Sequence, residues 1–377
     1  MKHLDEYRDE ALARALVDRL TAVAHHPWVL MEVCGGQTHS LVRYGIDGLL
    51  PAGMEMIHGP GCPVCVTPLE IIDKAIALAK IPGVILASYG DMLRVPGSQS
   101  DLLHAKAEGA DVRMVYSPLD ALKLARENPT REVAFFGIGF ETTAPPNAAA
   151  VWQAARQGIR NFSLLASHVL VPPALRALLG APGNRVQGLI APGHVCAIVG
   201  LEEYQAIARE FHIPIVVGGF EPVDLLEAIV MLAEQLEEGR AEVENQYTRS
   251  VRVTGNPLAQ KMLTDVLEVC DMKWRGLGEI PKSGLKLRAD FAAFDAEIKF
   301  ALAHNPVDEP AECISALILQ GHAKPAQCPA FGTRCTPERP LGAPMVSTEG
   351  ACSAYYQYRR HDIEAAQAEL AAAGARA

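Results

Sequence analysis

Seven of the nine cysteines in this 377-residue sequence fall into two groups whose spacing suits chemistry. The first group is Cys34, in CGGQTH, and the Cys-x-x-Cys pair Cys62 and Cys65, in HGPGCPVC. Such a pair at the start of a helix places its first thiol near backbone N–H groups, whose positive potential lowers the thiol pKa. The pair can then cycle between dithiol and disulfide or bind a soft metal. The alternative is a pair of small, buried apolar side chains.

Cys34 is expected at the end of a strand in the same sheet as the Cys-x-x-Cys pair. Two glycines follow it and leave its sulfur accessible, and His39 is close enough to donate or accept a proton. For His39 the alternative is a core histidine satisfied by backbone groups. These four residues are candidate catalytic groups, and the three thiols are candidate metal ligands.

The second group is Cys313, Cys328, Cys335 and Cys352, with the spacing C-x14-C-x6-C-x16-C. Four thiolates can hold a [4Fe–4S] cluster or a zinc ion. The short C-x2-C knuckles that are typical of structural zinc are absent, which favours iron–sulfur. The surrounding segment is rich in Pro and Gly, so a metal centre would order it better than hydrophobic burial.

Two cysteines belong to neither group. Cys270 lies at helical spacing behind Leu263 and Val266, which predicts a core position on a helix. Cys196, in PGHVCAIVG, is expected either in the core or near a cleft.

Polar residues follow several other apolar runs. Glu141 in GFETT and Glu221 in GGFEP are able to transfer protons, and the alternative is that each caps a helix. His194 in PGHV and His168 in SHV are able to bind a polar diatomic ligand or move protons, unless they are satisfied in the core. Glu141 and His194 join the candidate catalytic residues. No complete phosphate-binding loop is present.

Apolar runs alternate with helical stretches in two sets, which predicts parallel strands buried on both faces. The runs of the second set repeat those of the first at offsets of 104 to 110 residues, which suggests duplication of a four-stranded unit. The first set begins at Val29, Met54, Gly83 and Asp111, and the second at Val133, Ser163, Gly188 and Pro214. The polar loops follow the carboxyl ends of these strands, where open α/β sheets bind ligands.

The predicted fold class is α/β, with two pseudo-symmetric four-stranded parallel domains and a third domain. The first domain is 28–130, with Cys34 and the Cys-x-x-Cys pair, and the second is 131–223. Residues 1–27 and 224–377 form the third, mostly helical and loop-rich, with the cluster segment at 313–352.

Composition excludes several classes of protein. The net charge is −10 and the basic residues are scattered, so neither nucleic acid nor a membrane is an expected partner. No apolar run approaches the roughly 20 residues of a spanning helix, and the N-terminus lacks the apolar core of a signal peptide. We expect a cytoplasmic protein, in which clustered cysteines are metal ligands or redox thiols rather than a disulfide framework.

The motifs CGGQTH, GPGCPVC, GFETT, PGHV and GGFEP, followed by the four late cysteines, resemble the HypD family of hydrogenase maturation factors over essentially the whole chain. The resemblance implies a scaffold for the Fe(CN)2CO part of the [NiFe] hydrogenase site. It implies a HypC-type chaperone partner that shares the iron and a HypE-type partner that delivers cyanide.

The resemblance also implies a role for each cysteine group. Cys34 would be the main iron-ligating thiol, Cys62 and Cys65 the redox pair and further iron ligands, and the four late cysteines would hold a [4Fe–4S] cluster. Electrons would then pass from the cluster to the pair and on to the iron site. The alternative is a thiol-disulfide oxidoreductase with an iron–sulfur relay, and a third possibility is an interaction protein stabilised by zinc.

Overall fold

The computed structural model describes residues 5–303, 305–307 and 309–374, and beyond residue 361 it describes only the side chain at position 363. The α-helices are α1 Glu10–Val23, α2 Gly35–Arg43, α3 Pro63–Val66, α4 Leu69–Ala79, α5 Leu102–Ala107, α6 Pro118–Glu127, α7 Ala144–Gln157, α8 Val171–Leu179, α9 Gly193–Val199, α10 Glu202–Phe211, α11 Pro222–Glu237, α12 Pro257–Val266, α13 Ala296–Lys299, α14 Ser315–Leu319 and α15 Ala351–Gly374. The strands are β1 Val29–Glu32, β2 Glu55–His58, β3 Val84–Ser88, β4 Asp111–Met114, β5 Glu132–Gly139, β6 Phe162–Val169, β7 Gly188–Pro192, β8 Ile215–Gly218, β9 Val243–Asn245, β10 Leu267–Trp274 and β11 Gly278–Leu287.

The strands form two sheets, which confirms the α/β class. Sheet A has five parallel strands in the order β2-β1-β7-β8-β9. Sheet B has six strands in the order β10-β11-β6-β5-β3-β4. Its strands β6, β5, β3 and β4 are parallel, and the β10–β11 hairpin is added antiparallel to β6.

Each sheet combines strands from both predicted sets, so separate sheets built from 28–130 and from 131–223 are not what the chain forms. Sheet A pairs the first two strands of the first set with the last two of the second, and sheet B does the reverse. When each strand of the two predicted sets is numbered by its place within its own set, these strands have the order second, first, third, fourth across each sheet. The two sheets are therefore alike, but the halves of the repeats are exchanged between them.

The two sheets bury their strands in a common hydrophobic core. The strands β3, β7 and β8 are buried along their whole length, as the continuous apolar runs predict. One hydrophobic cluster contains Met31 and Leu189 of sheet A together with Leu86 and Phe136 of sheet B. The two sheets thus share one core, and a strand end from either sheet can reach the space between them.

The third predicted domain, 1–27 with 224–377, differs from the prediction in two ways. It is not mostly helical, because β9, β10 and β11 extend the two sheets. Helix α1 packs against α11, and both share a buried cluster with strands of sheet A. The N-terminal helix therefore covers sheet A rather than belonging to a separate unit.

Cys270 lies on β10 and is half-buried, so the prediction of a helical core position is wrong. Helix α12 ends at Val266, and the chain continues directly into the hairpin. None of the helices in the described part of the chain is long and apolar enough to span a lipid bilayer.

Candidate functional site

Cys34 lies immediately beyond the carboxyl end of β1 and is the N-cap residue of α2. Strand β1 pairs with β2 on one side and with β7 on the other. The connection after β1 leads outward to β2, and the connection after β7 leads outward to β8. Strand order therefore reverses between β1 and β7, which is where open α/β sheets form a binding crevice. Cys34 stands at this point in sheet A.

Cys62 and Cys65 form a disulfide at the start of the short helix α3. The Cys65 backbone N–H donates to the Cys62 sulfur at 3.2 Å, so the first sulfur faces helix N–H groups as the motif predicts. The side chains are 3% and 1% exposed. Because the sulfurs are joined, the pair is in its oxidised form and holds no thiolate.

The structure brings Cys34 and the disulfide together by direct contact of their loops. The Gly35 N–H donates to the carbonyl of Gly61 at 2.8 Å. A Cβ added at Gly61 would lie 2.2 Å from the backbone nitrogen of Cys34, and one added at Gly35 would lie 3.2 Å from the Cβ of Cys62. Only glycine permits this approach.

Burial, and to a smaller extent the nearby Glu349 side chain, raise the pKa of the Cys34 thiol to about 12. The free thiol is therefore neutral at physiological pH. A soft metal bound there would have to displace the proton, which couples metal binding to proton release.

A buried hydrogen-bonded pair, Glu32 and His58, supports the Cys34 loop, and sequence reasoning missed it. The Glu32 carboxylate accepts hydrogen bonds from the Cys34 N–H at 3.1 Å, the Thr38 hydroxyl at 2.6 Å and the His58 ring Nδ1 at 2.6 Å. Burial raises the pKa of Glu32. His58 contacts the Tyr355 hydroxyl at 3.2 Å through its other ring nitrogen. An acid inside the apolar run VLMEV was the available signal.

His39 lies on α2 and faces the C-terminal part of the chain. Its Nδ1 lies 3.0 Å from the carbonyl oxygen of Thr348, and its ring meets Tyr358 edge-on at 5.4 Å. The histidine therefore joins α2 to the segment around α15 and is not a core residue.

Glu141, Cys196 and Tyr204 are all buried, and after burial itself the charges of Glu141 and Cys34 raise the pKa of Cys196. One Glu141 oxygen accepts the Val171 N–H at 3.0 Å and so caps α8, as the alternative predicted, but the other oxygen has no partner. Burial raises the pKa of Glu141 to about 7. Cys196 is fully buried, and its thiol interacts with the Tyr204 hydroxyl. No sequence pattern selects Tyr204, which lies on the ordinary amphipathic helix α10.

The two remaining histidines are separated by the fold. His194 stacks on Phe220 with ring centroids 3.8 Å apart, and partial desolvation lowers its pKa. Phe220 also lies against Gly36, so His194 is on the side of the cleft near Cys34. His168 is fully buried in sheet B, where its pKa is lowered to about 4.

Glu221 lies outside the cleft. It forms an ion pair with Arg8 and is the N-cap residue of α11, where Asp224 completes a capping box. The capping alternative therefore describes Glu221 better than proton transfer does.

The four late cysteines line one small cavity. Their side chains come from Cys313, Cys328, Cys335 and Cys352. The Leu341 N–H donates to the Cys335 sulfur at 3.3 Å, and a Cβ added at Gly342 would lie 2.5 Å from the Cys313 sulfur. Burial and the other three thiols raise the pKa of Cys352.

The donor set fits a cluster. In the described part of the chain, no three His, Cys, Asp or Glu side chains converge on one point as the ligands of a single ion would. The four thiols surround a shared space instead, and in a [4Fe–4S] cluster each thiolate binds a different iron. Gly342 leaves room where a side chain would press on one of the sulfurs.

The cysteine-lined segment covers the disulfide. Helix α3 contacts the 3-10 helix Ala343–Met345. Pro344 and Met345 of this 3-10 helix line the cavity of the four thiols. A Cβ added at Gly35 would lie 2.5 Å from the Cβ of Glu349. The helix of the disulfide and the Cys34 loop thus both contact the segment that carries the four thiols.

Similarity to known proteins identifies the family of the chain. Residues 11–359 match the family model described as "HypD: Hydrogenase formation hypA family". The chain is 50% identical over 370 residues to the hydrogenase maturation factor HypD of Rhodobacter capsulatus, covering 95% of this chain and 98% of that protein. It is 51% identical over 369 residues to HypD of Azotobacter vinelandii, covering 96% and 97%, and 48% identical over 373 residues to HypD of Escherichia coli K12, covering 97% and 100%. The chain belongs to the HypD family.

Proposed function

We propose that this protein acts in the maturation of [NiFe] hydrogenases, as the scaffold on which the Fe(CN)2CO group is assembled. The iron fragment is cargo, held at Cys34 and shared with a HypC-type chaperone. The relatives named above are hydrogenase maturation factors, which supports the general role.

One observation carries the specific role. Cys34 lies at the switch point of sheet A, in direct loop contact with a redox disulfide, and the disulfide is covered by a segment with four more cysteines. Cyanide on low-spin iron favours soft thiolate support, which Cys34 provides. The other cysteines of the two groups would supply the electrons for cyanide transfer.

A [4Fe–4S] cluster held by Cys313, Cys328, Cys335 and Cys352 would supply electrons to the neighbouring disulfide. Two electrons and two protons convert the disulfide of Cys62 and Cys65 to a dithiol. These residues are nearly inaccessible to water, so the pair exchanges electrons with its immediate surroundings in the protein.

Oxidation of the dithiol would supply the two electrons that cyanide transfer from a thiocyanate on a HypE-type partner requires. As the dithiol closes to the disulfide, it releases two electrons and two protons. The S–C bond of the thiocyanate breaks, one proton restores the thiol of the partner, and cyanide leaves for the iron at Cys34. The second proton passes to a base in the cleft, for which Glu141, with a pKa of about 7, is suited.

A thiol-disulfide oxidoreductase is the second candidate, and the Cys62–Cys65 disulfide is the observation in its favour. Disulfide exchange with a protein substrate requires attack by an accessible thiolate. Both sulfurs belong to side chains with at most 3% exposure, and this burial applies equally to both candidate functions.

The test is anaerobic co-purification with a HypC-type chaperone, followed by infrared and Mössbauer spectroscopy. We expect cyanide and carbonyl bands together with a [4Fe–4S] signal. Cys62→Ala is expected to keep the cluster absorbance and lose the bands, whereas Cys270→Ala, outside both groups, is expected to keep both. Catalytic disulfide reduction without bound iron would support the oxidoreductase, and a colourless zinc protein would exclude both.

A further inference from the structure

A second cavity lies beside the cavity of the four thiols and opens to solvent. Its volume is about 460 Å³, and its lining includes Arg94, Arg360 and His361. Among the described residues, no Asp or Glu belongs to this lining. Arg94 and His361 are exposed. The concave surface, which we call the arginine cavity, therefore presents positive charge to the solvent.

The arginine cavity and the cavity of the four thiols share a wall. The Tyr356 ring lines the arginine cavity, the Phe331 ring lines the cavity of the four thiols, and the two ring centroids are 6.1 Å apart. The backbone connects the cavities as well, since Ser353 of the arginine cavity directly follows Cys352. The arginine cavity is thus the solvent side of the segment that carries the four thiols.

Both arginines are attached to this wall. Arg94 donates to the Val346 carbonyl at 3.1 Å, and its only listed ion pair is with Asp91, at 3.4 Å. Arg360 donates to the Tyr356 hydroxyl at 3.1 Å, and its guanidinium lies 5.2 Å from the centroid of that ring. Their positions are therefore set by the residues that separate the two cavities.

The segment around the four thiols is basic in a protein that is acidic overall. The chain has 44 acidic residues and a net charge of −10, but residues 313–361 contain only two acidic residues against five Lys and Arg. Arg334 and Arg359 of this segment pair with carboxylates outside it. Arg94 and Arg360 remain as the arginines of the cavity lining. An acidic partner is attracted to such a surface and repelled by an acidic one.

We propose that the arginine cavity is the docking surface for an acidic one-electron carrier protein that reduces the cluster. The inference rests on the proposed function, in which the four thiols hold a [4Fe–4S] cluster, and it names the partner that supplies the electrons. Two molecules of reduced carrier are each oxidised by one electron. The two electrons pass through the cluster to the disulfide, which becomes a dithiol with two protons from solvent.

The residue types of the arginine cavity suit a protein partner. Tyrosine and arginine contribute most strongly to binding energy in protein interfaces, and the lining contains Tyr356 and Tyr358 beside the two arginines. A carboxylate of the carrier can bind a guanidinium through two parallel hydrogen bonds. Docking there places the carrier against the wall shared with the cavity of the four thiols.

The first test measures binding without electron transfer. Oxidised acidic [2Fe–2S] ferredoxin is titrated calorimetrically into the anaerobically purified protein with its cluster oxidised. We expect Arg94→Glu and Arg360→Glu each to raise the Kd about tenfold or more, because like charges would face each other. Arg126→Glu, the same change at an exposed arginine on α6, is the control and is expected to leave the Kd unchanged. An equal Kd for all three variants would overturn the inference.

A second measurement uses the natural protein. Stopped-flow absorbance follows reduction of the cluster by reduced ferredoxin from about 0.1 M salt upward, where the Debye length is about 10 Å or less. We expect the rate to fall as salt rises. Both proteins are acidic overall, so a rate that rises with salt or stays constant would place the encounter elsewhere and overturn the inference while the cluster stands. Absence of cluster absorbance in the natural protein would instead overturn the proposed function.

Discussion

The two sheets carry a histidine at corresponding places but surround it differently. His58 ends β2 in sheet A, and its ring meets the buried carboxylate of Glu32 at 2.6 Å. His168 lies near the end of β6 in sheet B, where its Nε2 accepts a hydrogen bond from the amide of Asn147 and its Nδ1 has no partner. Burial lowers the pKa of His168 to about 4, so its ring is neutral.

The two sheets therefore differ in the groups that their histidine networks contact. In sheet A the side chain of Glu32 accepts hydrogen bonds from the Cys34 N–H and from His58, so the Glu32–His58 pair and the thiol loop are one hydrogen-bonded unit. In sheet B the neutral amide of Asn147 hydrogen-bonds His168 and the Tyr89 hydroxyl. Four strands of each sheet share their order, but within the described residues only the strands of sheet A are followed at their carboxyl ends by cysteines.

The largest effect is expected from Glu32→Gln, which makes the sheet A edge resemble that of sheet B. The amide loses an acceptor in a site that already supplies three donors, so we expect a loss of about 4 kcal/mol in the free energy of unfolding. Urea unfolding measures it. Glu70→Gln is the control, because Glu70 is also buried but its partner Lys273 is exposed. Equal losses for the two variants would contradict a special role for the pair.

The next effect concerns pH and the groups in sheet B. Folding raises the pKa of Glu141 to about 7 from 4.5, so its contribution to stability falls as pH rises between those values. Folding lowers the pKa of His168 to about 4 from 6.5, so its contribution rises with pH. The two slopes cancel between pH 4.5 and 6.5.

Glu141→Gln is therefore expected to expose the slope of His168, with stability rising by about 3 kcal/mol from pH 4.5 to 6.5. His168→Gln is expected to give the opposite slope. Urea unfolding at a series of pH values measures both. Parallel pH profiles for the two variants would show that neither pKa is shifted as described.

Much of the fold was predictable from local sequence, because buried parallel strands appear as continuous apolar runs. All eight strands of the two sets are present near their predicted positions. The pairing of those strands was not predictable. Whether β3 joins β1 or β5 depends on contacts between distant segments, and an apolar run carries no label for its partner. Cys270 failed for a related reason, since periodicity did not show where α12 gives way to β10.

The site was predictable where a motif names its own chemistry. Cys34 and the Cys-x-x-Cys pair were selected by residue type, and the structure places their loops in contact. Tyr204 and His58 were missed because single polar residues in apolar surroundings are common and usually structural. Their importance depends on neighbours that are distant in sequence.

Gly61→Ala tests whether close backbone packing holds the sheet A edge together. The new Cβ would lie 2.2 Å from the Cys34 nitrogen, and a backbone atom cannot rotate away. We expect a loss of about 2 kcal/mol by overpacking, measured by urea unfolding. Gly48→Ala is the control, because the nearest atom to its Cβ is a flexible arginine nitrogen at 3.9 Å. A similar cost for both would mean that the contact between the loops is not tight.

The smallest effect is expected from removing the hydroxyls of the two tyrosines that contact the two histidine networks. The Tyr355 hydroxyl lies 3.2 Å from His58 in a buried site, whereas the Tyr89 hydroxyl donates to Asn147 at 3.4 Å from a half-buried site. Tyr355→Phe leaves a buried ring nitrogen without its partner, so we expect a loss of about 1 kcal/mol. Tyr89→Phe is expected to cost less, because water can replace the lost hydroxyl. If Tyr89→Phe lowers the free energy of unfolding more than Tyr355→Phe does, the hydrogen-bonded network of sheet B is the more tightly held. The two sheets would then differ only in the cysteines that sheet A positions.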